Sequence, residues 1–322
     1  MAEKGTIVLA GGAGFLGRAL AAHFGRQGRP VVVLSRGARP GAGPGRQVKW
    51  DGATVGEWAR ELEGAAMVVN LVGRSVNCRY TEANRAEILR SRVDATRVVG
   101  EAVARCARPP AVWLNASSLA LYADVRDHGM DESTSETGDD FSADVCRAWE
   151  RTLFEAPTPY TRRVALRLSM VFGLGRGSVY EAFAGIVRRG LGGTQGDGGQ
   201  YVSWLHVGDF CRAVEWLESR GEISGPVNVC APNPLSNREF MRAFRAACGV
   251  RIGLPAARWM LEIGAFFLRT ETELLLKSRR GVPGRLLAGG FRFDHPEWPE
   301  AVAAIVAQER ASRGLQRTDA AP

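Results

Sequence analysis

Apolar residues open the chain as a short unbroken run, Ile7-Val8-Leu9-Ala10, then change to a four-residue repeat at Leu16, Leu20 and Phe24. The run reads as a buried strand and the repeat as one face of a helix, which Gly28 and Pro30 end. The alternation continues. Strands are expected at 31–34, 47–50, 67–72, 112–116 and 164–168, and helical stretches at 57–62, 81–106 and 141–155. Residues 37–46 hold four glycines and two prolines and read as a loop, and the polar, acidic stretch 123–140 reads as a surface loop. Strands that are apolar throughout need helices on both faces. The pattern therefore predicts an α/β chain built as a doubly wound parallel sheet with right-handed crossovers. Ligands bind such sheets beyond the C-terminal strand ends. Here those ends are Gly11 to Gly17, Ser35-Arg36, Leu71 to Gly73, Ser117-Ser118 and Ser169 to Gly173, and they should converge on one crevice.

The second half is less regular. A helix is expected at 179–189, then a mobile loop at 190–200, where six of eleven residues are glycine. A strand follows at 201–207, with Asp209 capping a helix to Glu218, and a short strand at 227–230. Helices are expected at 237–248, 257–276 and 301–309, with 311–322 disordered. Residues 1–172 are expected to form a Rossmann-type domain to which 205–230 returns. A smaller C-terminal, substrate-side part comes from 173–204 and 231–306, with 307–322 as a tail.

Between the first strand and helix, Gly11, Gly14 and Gly17 are spaced G-x-x-G-x-x-G. Gly11 allows a tight turn, Gly14 lets the backbone approach a pyrophosphate, and Gly17 lets helix and strand pack closely. The phosphates would rest on the helix N-terminus, whose free N–H groups favour anions. The second strand ends in Ser35-Arg36 with no carboxylate to accept from a ribose 2′-hydroxyl. Ser35 can donate to a 2′-phosphate and Arg36 can pair with it, so NADP is the expected dinucleotide.

Composition adds bounds. Of 322 residues, 45% are apolar, enough for a sizeable core. The net charge of +8 is scattered rather than clustered, so an anionic coenzyme explains it better than nucleic acid. The six cysteines form no C-x-x-C and no Cys/His cluster, which argues against a metal site and for free thiols in a reducing compartment. No apolar run is long enough to span a membrane. The reading is a cytoplasmic monomer or homodimer that takes a small-molecule substrate.

The chain resembles the extended short-chain dehydrogenase/reductases, also called the NAD(P)-dependent epimerase/dehydratase family. The matching pieces are Gly11-Gly12-Ala13-Gly14-Phe15-Leu16-Gly17, Asn70-Leu71-Val72-Gly73, Ser117 to Tyr122, and Trp204-Leu205-His206-Val207-Gly208-Asp209. Ser91-Arg92 with Thr96, Cys146 to Glu150, and the segment from Pro283 through Phe291 to Pro296 resemble a branch of that family with its own C-terminal domain. Together these cover about residues 5–306. The resemblance implies a coenzyme held by Gly11, Gly14, Phe15, Leu16, Gly17, Ser35, Arg36, Leu71, Val72, Gly73 and Val171. On the helix that follows Gly73, Arg92 is a candidate for the crevice with Glu87 orienting it, or the two form an exposed ion pair.

The family's usual relay is a Ser, a Tyr and a Lys. Ser118, four residues before Tyr122, matches the serine. The expected Tyr and Lys positions fall on Ser142 and Cys146, and no lysine lies between Lys49 and Lys277. Tyr122 is the candidate proton donor, or else a packing residue whose hydroxyl caps a turn. Cys146 reads as a small buried residue, and His206 as a local hydrogen-bonder. Arg167 and Arg176 either meet an anionic substrate or are solvated. Three functions remain: an NADP(H)-dependent oxidoreductase or epimerase-like enzyme with an altered proton donor, a non-catalytic NADP(H)-binding redox-responsive regulator, or a Rossmann scaffold for a partner.

Overall fold

The computed structural model describes residues 5–39, 41, 43–257 and 276–318. Its strands are β1 (Ile7–Ala10), β2 (Val31–Ser35), β3 (Arg46–Lys49), β4 (Met67–Asn70), β5 (Val112–Ser118), β6 (Arg162–Leu168), β7 (Met170–Phe172), β8 (Tyr201–Val202), β9 (Trp204–His206), β10 (Gly225–Val229) and β11 (Leu235–Ser236). The described helices are α1 (Phe15–Arg26), α2 (Glu82–Ala104), α3 (Phe141–Phe154), α4 (Val179–Arg188), α5 (Val207–Ser219), α6 (Asn237–Cys248), α7 (Gly284–Ala288) and α8 (Trp298–Thr318). Residues Glu57–Leu62 form a 3-10 helix.

Seven parallel strands make the central sheet, in the order β10-β6-β5-β4-β1-β2-β3. Ile7 pairs with Val31 on one side and Met67 on the other, so the winding reverses between β1 and β4. That is the switch point where a crevice opens. Successive side chains of β1 enter opposite cores. Ile7 and Leu9 join Leu20, Phe24, Phe210 and Leu217, while Val8 and Ala10 join Trp58, Val98 and Leu153. A third core holds Phe172, Tyr180, Trp204, Phe240, Phe244 and Trp298, and ties α4, α6 and α8 together.

Four expectations change. The strand foreseen at 201–207 divides at Ser203: β8 pairs antiparallel with β11, and β9 runs parallel to β7. Residues 190–200 are pinned, with Gly193 and Gly196 N–H groups donating to the Leu254 and Ala256 carbonyls. The 123–140 stretch is not wholly a surface loop, because Met130 is fully buried and bridges to 280–282 through two backbone hydrogen bonds. The last helix starts earlier and continues to Thr318, so 311–318 of the stretch expected to be disordered are helical, while 319–322 lie outside the described residues. The helix foreseen at 257–276 falls almost wholly on 258–275, outside the described residues.

Candidate functional site

The glycine turn is shaped by contacts that exclude side chains. Gly11 has φ +73° and a Cβ there would lie 2.9 Å from Val72 Cγ2. At Gly17 a Cβ would lie 2.3 Å from Gly12 Cα, so only glycine lets α1 sit this close to the turn. At Gly14 a Cβ would meet nothing nearer than Gly11 O at 3.7 Å, so that face is open. Gly14 caps α1 with no side-chain bond, leaving the helix's first N–H groups available to an anion. Gly12 is the glycine the spacing did not single out; a Cβ there would lie 3.0 Å from Leu9 and Val33 atoms.

Gly11, Gly14, Ser35, Arg36, Leu71, Val72, Gly73 and Glu87 line one groove of about 640 Å³. Arg36 is exposed, and no described carboxylate pairs with it. Asp51, which the pattern placed only after a strand, also lines the groove. Its carboxylate accepts from the Ala53 and Thr54 N–H groups and the Thr54 hydroxyl, which hold its pKa below the usual carboxylate value. Leu71 to Gly73 are shaped from below. Asn70 donates to Asn115 Oδ1 at 2.7 Å and accepts from Val72 N at 3.1 Å. Thr96 accepts from Trp149 Nε1 at 2.9 Å beside that pair.

The side chains of other expected coenzyme residues lie off the groove. Phe15 packs against Gly175, and Leu16 sits against the core under the sheet. Gly17 acts through helix packing. Val171 is buried beside Leu205, because its strand position points it into the core. Glu87 does not orient Arg92. Five residues apart is about 500° around a helix, so the two face different ways. Glu87 pairs with Arg74, which also donates to Asn84 Oδ1 at 2.8 Å. Arg92 donates to the Ile88 and Arg74 carbonyls, and its guanidinium lies 5.1 Å from the Trp149 ring centre and against Gly73. Burial pushes its pKa below the usual arginine value.

A second cavity, of about 220 Å³, opens past the ends of β5 and β6. The chain connects the two spaces, since Ser75 lines the groove and Val76 the cavity. Ser118 lines this cavity, its hydroxyl accepting from Ala120 N at 3.1 Å. Tyr122 does not. It is 1% exposed, and its hydroxyl lies 2.9 Å from both Asp131 O and Asn228 Oδ1, donating to one of them, while accepting from Arg167 Nη1 at 2.9 Å. Arg167 is neither solvated nor in the crevice. It pairs with Glu150 through two bonds of 2.9 and 2.8 Å, and Ser117 donates to the same carboxylate at 2.6 Å. Cys146 is buried against the Ser118 backbone, and burial first, then Glu150, pushes its thiol up to about 12. Such a thiol is inert.

Around the cavity stand residues that the pattern did not flag: Tyr201, Gln195, Asn237, Lys277 and Arg279. Lys277, one of three lysines in the chain, pairs with Asp140 at the start of α3. It arrives from far along the sequence, so no local spacing could have pointed to it.

Asp209 is not a cap. His206 takes that place, its Nδ1 accepting from Gly208 N at 3.1 Å. Asp209 is fully buried and accepts from the N–H groups of Asp294 and His295 at 2.8 and 2.9 Å. It thereby clamps the Trp204–Asp209 motif to the C-terminal segment. The His206 and His295 rings lie 4.0 Å apart. Burial, then His295, lowers the pKa of His206 to about 4.

Comparison with known proteins places this geometry. The human epimerase family protein SDR39U1 is 30% identical over 304 residues, covering 94% of this chain and 99% of its own. The epimerase family protein YfhF of Bacillus subtilis is 29% identical, with the same shares covered. A crystal structure of human SDR39U1 (isoform 2) with NADPH superposes with a TM-score of 0.84, covering 94% of this chain and 99% of that one. A nucleoside-diphosphate sugar epimerase from Corynebacterium glutamicum is 27% identical, with a TM-score of 0.74, covering 96% of this chain and 61% of that one. Residues 256–305 match a domain of unknown function, DUF1731. Residues 7–230 match the model of the NAD dependent epimerase/dehydratase family, and this chain, with its glycine turn, parallel sheet and crevice, belongs to that family.

Proposed function

We propose that this protein binds NADP(H) and acts as an oxidoreductase or epimerase-like enzyme on a small molecule held beyond Ser118. The observation that carries the reading is one groove that joins the open face of Gly14, the uncapped start of α1, Leu71 to Gly73, and the Ser35-Arg36 end of β2. These residues fit a 2′-phosphorylated dinucleotide. Backbone N–H groups would take the pyrophosphate, and Ser35 and Arg36 the 2′-phosphate. The NADPH in the SDR39U1 structure supports the choice. When bound, the nicotinamide supplies hydride transfer.

This chain's own residues would do the rest. Residues 1–172 and 205–230 would form the coenzyme half, and 173–204 with 231–306 the substrate half. Ser118 would polarise the substrate oxygen. Position 142 carries serine and Cys146 stays protonated at neutral pH, so the proton is assigned elsewhere. Tyr201 offers a phenol and Lys277 an ammonium on the same cavity wall. The six cysteines are free thiols, which supports a reducing compartment such as the cytoplasm.

A second reading, a non-catalytic NADP(H)-binding regulator, draws on the commitment of the Tyr122 phenol to internal bonds. Substrate-dependent NADPH oxidation separates the two.

The coenzyme assignment is tested by titrating NADPH and NADH into the wild type and Arg36→Ala, followed by nicotinamide fluorescence. A hydrogen bond to a charged group contributes about 1.5–3 kcal/mol. Arg36 should therefore favour NADPH by roughly ten- to a hundredfold, and the variant should lose that margin. Equal affinities in the wild type would overturn the assignment.

A further inference from the structure

Among the described residues two cations line the cavity beyond Ser118, and they differ in company. Lys277 is paired with Asp140. Arg279 is half-buried, its guanidinium donates to the Ser278 carbonyl at 3.1 Å, and no described carboxylate pairs with it. The backbone of Arg279 is fixed. Its N–H donates to Tyr201 O at 2.9 Å, and its carbonyl accepts from Ser203 Oγ at 2.7 Å. Asp140 is near enough to feel the Arg279 charge but makes no hydrogen bond to it, so this guanidinium gives up hydration on the cavity wall without a carboxylate in contact, a cost that an anion would offset.

The rest of the wall is mainly apolar, formed by Met170, Phe183, Val202 and Phe240 among others. At about 220 Å³ the space is below the roughly 300–1,000 Å³ of pockets for drug-sized ligands. It suits a small molecule and not a sugar nucleotide. The Ser75-Val76 junction puts it next to the groove, and Ser118 lies on its wall.

We propose that this cavity is the binding site for a small organic carboxylate with an apolar body, its carboxylate held by Arg279. This rests on the reading above for the position of the coenzyme, and it names the class of substrate. The planar guanidinium matches a carboxylate with two parallel hydrogen bonds.

The test uses the full chain, with and without saturating NADPH, and measures binding of hydrocinnamate, hexanoate, their primary amides and UDP-glucose by calorimetry. The carboxylates should bind and the amides should not. Arg279→Gln should weaken carboxylate binding by about ten- to a hundredfold, the worth of a charge-assisted hydrogen bond. Arg279→Lys should keep part of it. NADPH affinity should not change in either variant, which also shows that they fold. The proposal is overturned if neither carboxylate binds, if amides bind equally well, or if UDP-glucose binds in place of the carboxylates. It also fails if Arg279→Gln binds like wild type, or if Arg279→Lys binds no better than Arg279→Gln. If carboxylates bind while NADPH does not, the coenzyme assignment fails and the cavity assignment stands.

Discussion

Replacing Tyr122 with phenylalanine separates a structural phenol from a chemical one. The side chain is 1% exposed, and all its polar neighbours are internal. Burial pushes the phenol above its usual pKa, with Arg167 pulling the other way, so at neutral pH it stays protonated. It donates one hydrogen bond, to Asp131 O or Asn228 Oδ1, and accepts one from Arg167. Tyr122→Phe keeps the ring and removes both bonds. One buried acceptor is left unmet, and Arg167 keeps Glu150 but loses its second partner. A bond to a charged group contributes about 1.5–3 kcal/mol and an ordinary one about 1 kcal/mol. The two together give an expected loss of about 2.5–4 kcal/mol, and because the Arg167–Glu150 pair survives it should not exceed the roughly 3–5 kcal/mol for breaking a buried ion pair. Urea unfolding should show the midpoint fall with an unchanged slope. NADPH affinity and any turnover should match wild type at temperatures where the variant is folded. A variant of normal stability that has lost turnover would refute the argument and return Tyr122 to the crevice.

Three further outcomes follow from the geometry. Gly17→Ala would put a methyl 2.3 Å from Gly12 Cα, so α1 must move off the turn. Overpacking of this kind costs about 1–3 kcal/mol, and thermal melts and NADPH titration should both register it; a variant normal in both would contradict the packing role. Cys146→Ala should leave NADPH affinity and any turnover nearly unchanged, because a thiol pushed up to about 12 does no chemistry at neutral pH; a large loss of turnover with folding intact would show the thiol to be catalytic. His206 takes a proton near pH 6.5 when unfolded and near 4 when folded, so the unfolded chain holds more protons between those values. Stability should therefore fall as pH drops across that window, by at most about 3.4 kcal/mol from this residue, and the difference between wild type and His206→Gln in urea midpoints from pH 7 to about 4 should trace it. Parallel curves for the two would remove His206 from the account.

Much of the groove was legible because its causes are local. A strand running into a glycine turn and a helix can be seen in a dozen residues, and so can the missing carboxylate after β2. What failed was placement that depends on facing. Val171 belongs to the expected strand end but points into the core. Glu87 and Arg92 share a helix but not a side of it. Asp209 sits where a cap belongs, yet its burial against Asp294 and His295 is decided by a segment 85 residues away.

The sequence by itself determined the parallel sheet, the glycine turn and the cationic end of β2, since each follows from periodicity or from a residue type at a fixed offset. Only the tertiary structure decided which polar groups share a space. It withdrew Tyr122 into a buried network with Arg167 and Glu150, and it brought Tyr201, Lys277 and Arg279 to the wall where Ser118 stands. The physical reason is range. Hydrophobic periodicity acts over a turn or a strand, whereas burial, ion pairing and the sharing of a cavity are fixed by packing between elements that the chain order keeps far apart.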